Sequence, residues 1–177
     1  TTGTLNNSNV TITNNNSILV DDDVTAGGTG KNITITATGA SGSVTTGTGD
    51  TLTAAGDTVT VSAATTINDT TTGPFSASAA LKLTAGTGIG TTTTLNIDAD
   101  TMSASTTSGG INVTDSDDLI VTAATAGAGN IAITTATVAG ADLTIAGNVS
   151  TSGADTVTLT LGEDLFFNSG QIAPGTG

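Results

Sequence analysis

The stretch Lys31-Asn32-Ile33-Thr34-Ile35-Thr36-Ala37-Thr38 decides the fold. Ile33 and Ile35 alternate with Thr34 and Thr36, and successive side chains of an extended strand point to opposite faces. The segment is therefore a strand with one apolar face and one hydroxyl face. Related apolar pairs return along the chain as Val10/Ile12, Val59/Val61, Leu81/Leu83, Ile111/Val113, Ile131/Ile133 and Val157/Leu159. Including Ile33/Ile35 there are seven pairs, whose first members are 23, 26, 22, 30, 20 and 26 residues apart. Self-similarity at that interval signals a solenoid, in which each repeat buries its apolar face only against its neighbours. The fold expected is all-β, a right-handed parallel β-helix of about seven coils with roughly 20–30 residues per coil.

Stacking the seven pairs in one register puts Thr13, Thr36, Ser62, Thr84, Thr114, Thr134 and Thr160 in one outward column. The column beside it reads Thr11, Thr34, Thr60, Lys82, Asn112, Ala132 and Thr158, with the hydroxyls interrupted three times.

Composition favours the same architecture. Aromatic residues make up 2% of the 177-residue chain, too few for the aromatic-rich core of an ordinary globule. A solenoid needs only a few aliphatic side chains inside each coil, because backbone hydrogen bonds join the coils. Disordered stalks of similar polarity lack regularly spaced Ile and Val, and they carry more proline than Pro74 and Pro174. Nothing divides the chain, so residues 1–177 read as one continuous solenoid segment.

Turn signals precede most of the strands: Gly28-Thr29-Gly30-Lys31, Gly56-Asp57, Gly109-Gly110, Gly127-Ala128-Gly129-Asn130 and Gly153-Ala154-Asp155. Glycine supplies positive φ and Asp or Asn bonds nearby backbone, as a tight corner requires. Ser17–Val20, Val44–Thr46, Thr51–Thr53, Leu95–Ile97, Leu119–Thr122, Leu143–Ile145 and Leu165–Phe167 supply strands for the other faces.

Fifteen acidic residues against Lys31 and Lys82 give a formal net charge of −13. That balance excludes nucleic acid as a partner, since a phosphate backbone is held by clusters of Lys and Arg. No apolar run approaches the roughly 20 residues of a transmembrane helix. The absence of cysteine suits a bacterial protein that is exported unfolded and folds without disulfides. Thr1 is not an initiator Met, which points to a processed chain or a segment of a longer one. No polar cap is visible at either end, and the Gly-rich stretch 170–177 matches the turns that introduce strands. The partner expected is therefore either another copy, joined end to end, or further coils of the same chain.

Three acidic clusters are the candidate metal sites: Asp21, Asp22 and Asp23; Asp98 and Asp100; Asp115, Asp117 and Asp118. Carboxylates two apart on a strand share a face, and Ca²⁺ takes six to eight oxygen ligands. The glycine-rich Ca²⁺ nonapeptide is absent and no cluster recurs at a fixed place in the repeat, so solvated turn acids are the simpler expectation and no cofactor is required. Asp98 and Asp100 are also the pair that glycoside hydrolysis would use. With no His, Tyr, Trp or Arg to bind a sugar or finish an active site, catalysis is not expected. Gly86-Thr87-Gly88-Ile89-Gly90 lacks the βαβ setting of a dinucleotide fingerprint and reads as a turn. Of Phe166 and Phe167, adjacent on a strand, at most one should be exposed. The Asn32-Ile33-Thr34 and Asn112-Val113-Thr114 sequons arise by chance in so Thr-rich a chain.

The unit running from Asp142-Leu143-Thr144-Ile145-Ala146-Gly147-Asn148-Val149 through Asp155-Thr156-Val157-Thr158-Leu159-Thr160 to Asp164-Leu165 resembles the β-helical repeats of filamentous-haemagglutinin-like exoproteins and giant bacterial surface adhesins. The likeness covers nearly the whole chain. It implies a right-handed parallel β-helix, export from a Gram-negative-type cell, and a role as fibre, stalk or adhesin. The function expected is an extracellular structural rod at a bacterial surface. The alternative is a binding module that recognises surface glycans, or ice, through its Thr face.

Overall fold

The structure is a computed structural model that describes residues 3–6, 8–70 and 73–175. Among these residues there are nineteen strands and no helix, and the paired strands run parallel. They stack as a β-solenoid of about seven turns. No helix among the described residues is long and apolar enough to cross a membrane.

Each coil contributes to three ladders. The first face begins with Val10–Asn14 and Ile33–Ala37, then takes the C-terminal parts of the long strands Leu52–Ala63, Ser76–Ala85, Leu95–Thr106 and Leu119–Ala126. It finishes with Val149–Thr151 and Ile172–Ala173. The second face runs through Ile18–Val20, Val44–Thr46, Thr66–Asp69, Gly88–Ile89, Ile111–Asp115, Ile131–Thr135 and Val157–Thr160. The third starts with Gly3–Asn6 and Val24–Gly27, uses the beginnings of the long strands, and ends with Leu143–Ile145 and Leu165–Phe167. All seven supplementary strands expected from the sequence are present as strands or parts of strands.

The register corrects the single column of seven pairs. Val10, Ile33, Val59 and Leu81 do stack in order, but Leu81 is followed by Met102 and not by Ile111. Ile111, Ile131 and Val157 belong to the second face, preceded there by Ile89 and Ile67. The spacing of 30 between Leu81 and Ile111 was therefore a jump from one face to the next. It arises because the first face continues through Met102-Ser103-Ala104, where Met and Ala take the inward positions usually held by Ile and Val. Residues Gly88 and Ile89, read as part of a turn, form a short strand with Ile89 fully buried.

Irregularities are confined to places where the coil changes length. Ile89 pairs with Ile111 while Leu95 pairs with Val113, so residues 90–94 loop out of the second face. Thr122 is an extra residue opposite the Met102–Ser103 step, and its hydroxyl donates to the Met102 carbonyl at 3.0 Å. Such a bulge leaves one residue unpaired and bends the strand. At the corners the coils approach closely. A Cβ placed on Gly86 or Gly109 would collide with the backbone carbonyl of Ala64 or Thr87 in the preceding coil.

The interior is a single column of aliphatic side chains, with Ile33, Ile35, Val59, Val61, Val113, Ile131, Ile133 and Val149 fully buried. Phe75 is also fully buried there. Phe166 and Phe167, however, are both exposed, at 48% and 56%. Strand alternation does turn Phe167 to the inner side, in register with Ile145. No described strand lies on its other side, so that inner position stays uncovered. The reading of 170–177 as a turn opening a further coil extends to residues 176 and 177, which lie outside the described residues.

Candidate functional site

The corners explain six of the fifteen acids. Asp23 Oδ1 accepts the Thr51 N–H of the next coil at 2.9 Å, and Asp57 accepts the N–H groups of Gly30 and Lys31 at 2.9 and 3.0 Å. Asp155 accepts from Gly129 N at 2.8 Å, and Glu163 from Gly140 N at 2.6 Å. Asn9, Asn32 and Asn130 act likewise on Asn32 N, Thr58 N and Thr156 N. A corner residue leaves the ladder and would strand its backbone N–H, so a carboxylate or amide from the adjacent coil takes that donor. The same chemistry stitches three coils at one corner, where Asp118 Oδ1 accepts from Asp142 N at 2.8 Å and Asp142 Oδ1 from Asp164 N at 3.1 Å.

The sequence-derived metal candidates fall in separate places. Asp21, Asp22 and Asp23 occupy the turn between Ile18–Val20 and Val24–Gly27. Asp98 and Asp100 are exposed on the outer side of Leu95–Thr106, flanking the buried Ala99. Burial raises the Asp98 carboxyl above its ordinary value, reinforced by the charges of Asp117 and Asp100. Asp117 and Asp118 are exposed in the following turn, whereas Asp115 is completely buried. Both Asp115 oxygens are engaged by backbone, one with Ala99 N at 3.2 Å and the other with Asp117 N at 3.0 Å. Asp98 and Asp100, the pair singled out from the sequence, are thus both exposed on the outer side of one strand, whereas Asp98 and the buried Asp115 border one shallow cavity of about 310 Å³.

The structure does bring Asp100, Asp117 and Asp118 together with Asp142 in a shallow groove of about 420 Å³ whose other walls include Ile120 and Phe166. Asp142 was not singled out from the sequence, and its signal there was only its place two dozen residues after Asp118. Among the described residues no three acidic side chains are gathered as a metal ion requires.

A second candidate is the outer side of the first face. Thr13, Thr36, Ser62, Thr84, Ser105, Thr125 and Ser150 are in register on successive coils, giving an unbroken hydroxyl ladder. The ladder beside it reads Thr11, Thr34, Thr60, Lys82, Ser103 and Ala123. Asn112 and Ala132, which interrupt the column drawn from the sequence, lie on the second face instead. Neither ladder contains an acid, and exposed Lys82 stands midway along. Rungs of adjacent coils are about 4.8 Å apart, so hydroxyls repeat along the rod at that interval. Ser103, Ser105 and Thr125 were missed because their strands carry Ala or Met inward, and Ser150 because its strand is only three residues long.

Comparison with protein-family models, with curated proteins and with solved structures yields no match.

Proposed function

We propose that this chain is a stretch of extracellular structural rod at the surface of a Gram-negative-type bacterium, a fibre or stalk element like the β-helical repeats it resembles. The observation that carries the reading is the continuity of the parallel ladders from Val10 to Ala173, with corner acids and amides bonding coil to coil where the chain leaves the ladder. Such a chain spends its polar groups on its own backbone. The acidic exterior adds solubility and repels like-charged neighbours side to side, while end-to-end continuation, through a second copy or further coils, extends the rod. Immunogold labelling of intact producing cells, with and without protease shaving, tests this. Labelled surface fibres lost on shaving are expected; label confined to the cytoplasm overturns the reading.

One observation favours a second reading, an adhesin-type module for surface glycans or ice. The hydroxyl ladder has seven rungs in register, as many as the sequence implied though partly through other residues, and lies on a face free of acids. Glycan-array binding and inhibition of ice recrystallisation test it, with Thr84→Lys as the variant that interrupts the ladder. Loss of either activity in that variant supports the binding module, and inactivity of the parent chain in both assays rejects it.

A further inference from the structure

The corner acids Asp118 and Asp142 are accounted for by the bonds they make, but the apolar side chains beside them are not. Ile120, Thr144 and Phe166 stand in register on three successive coils of the third face. All three point outward, because Leu119 and Val121, and likewise Leu143 and Ile145, take the inner positions, with Leu165 and Phe167 in register behind them. Ile120 and Phe166 are large, apolar and exposed. The column therefore runs large, small, large, and Thr144 forms the floor of a notch between them. That notch is part of the groove of about 420 Å³.

Asp118, Asp142 and Asp164 each stand one residue before a strand of this face and form a second row beside the apolar one. The coil-to-coil bonds use Oδ1 of Asp118 and of Asp142, which fixes both carboxylates and leaves Oδ2 of each for an outside donor. No basic side chain lines the groove: Lys31 stands at the corner held by Asp57, and Lys82 lies on the first face. Like charges on adjacent rungs repel, so a cation from outside is drawn to the row and relieves it.

We propose that this part of the third face docks a basic amphipathic α-helix of another protein. One apolar side chain of the helix sits over Thr144 between Ile120 and Phe166, and a flanking row of Lys or Arg meets Asp118, Asp142 and Asp164. Spacing selects the form of the partner. Rungs of either row are about 4.8 Å apart. Side chains one turn apart on a helix recur at about 5.4 Å, so a helix laid along the rod keeps step over three rungs, and flexible Lys or Arg stems absorb the difference. An extended segment repeats one face at about 6.8 Å and is out of step by the third rung. A lone metal ion fits less well, because no three acids converge on one point among the described residues.

Titration of the ¹⁵N-labelled full chain, followed by NMR, tests the docking. The probe is a synthetic peptide of about 18 residues, long enough to be helical, with leucine at every third or fourth position and lysine beside each leucine. Two control peptides carry serine for every leucine or glutamate for every lysine. Shifts confined to the Ile120, Thr144 and Phe166 strands and the acids before them are expected. The serine peptide should bind about tenfold more weakly and the glutamate peptide not at all. Thr144→Phe fills the notch without changing the charge and should weaken the leucine peptide about tenfold. Equal binding of the leucine and serine peptides, or shifts spread to the corners of Asp57 and Asp155, would mean general attraction to a chain of −13 charge and overturns the proposal. Absence of binding overturns it as well, as does unchanged affinity in Thr144→Phe. If Thr144→Phe does not fold, the location of the shifts and the leucine-to-serine ratio on the parent chain decide.

Discussion

Lys31 stands at a corner and Lys82 on a flat face, and the two surroundings are held together by different means. The Lys31 amide is taken by the Asp57 carboxylate of the next coil, because the backbone there has left the ladder. Lys82 is in register with Thr60 on one side and Ser103 on the other, so backbone pairing alone fixes it. Faces thus rely on alternation, aliphatic inside and hydroxyl outside, and tolerate any outward residue that favours a strand. Corners rely on particular acceptors placed one coil away. Corner acceptors such as Asp57, Asp118 and Asp155 contribute to the −13 charge, while the first face carries no acid.

The largest test sets the two sides of one face against each other. Ile133 is fully buried and Thr134 points outward beside it. Ile133→Asp places an unpaired charge in the column and should cost about 3–5 kcal/mol, enough to unfold nearby coils, whereas Thr134→Asp should cost under about 0.5 kcal/mol. Denaturant midpoints of the two variants measure the contrast. Equal losses would mean that the faces are assigned the wrong way round.

Corner acceptors should matter less than the core but more than outward face residues. Asp118→Ala leaves Asp142 N without its acceptor and is expected to lose about 1 kcal/mol at this partly solvated corner. Asp117→Ala removes an exposed charge that repels Asp98, so thermal melting should show little loss at neutral pH. A drop for Asp117→Ala equal to that for Asp118→Ala would show that charge density, and not the coil-to-coil bond, sets corner stability.

How much of this was legible follows from the same division. Face strands announce themselves through period-two Ile, Val and Leu, so the solenoid and its seven supplementary strands were readable in the chain. Face identity was not, because three faces carry the same alternation and the sequence does not say which strands share a ladder. Met102-Ser103-Ala104 hid the first face behind small residues, and Ile111 offered a better-looking successor to Leu81. The acids were visible as clusters, yet their use was not. A bond from Asp118 to Asp142 N or from Asp57 to Gly30 N spans a whole coil, and nothing local marks it. Phe167 shows the limit of alternation itself, which fixes the direction of a side chain but not whether anything covers it.

The two lysines supply the finest test, since trypsin can cut only after them. Cleavage needs local opening of several residues around the bond. Lys82 is paired on both sides within a strand, while Lys31 is held at a corner by Asp57, so native digestion should begin at Lys31 and leave Lys82 intact far longer. Asp57→Ala frees the Gly30 and Lys31 amides together and should speed the first cut several-fold without changing the second. Mass spectrometry of the early fragments reads both rates from one digest. Simultaneous loss of both sites would mean that the rod opens as a unit, and would remove the distinction between stitched corners and self-sufficient faces.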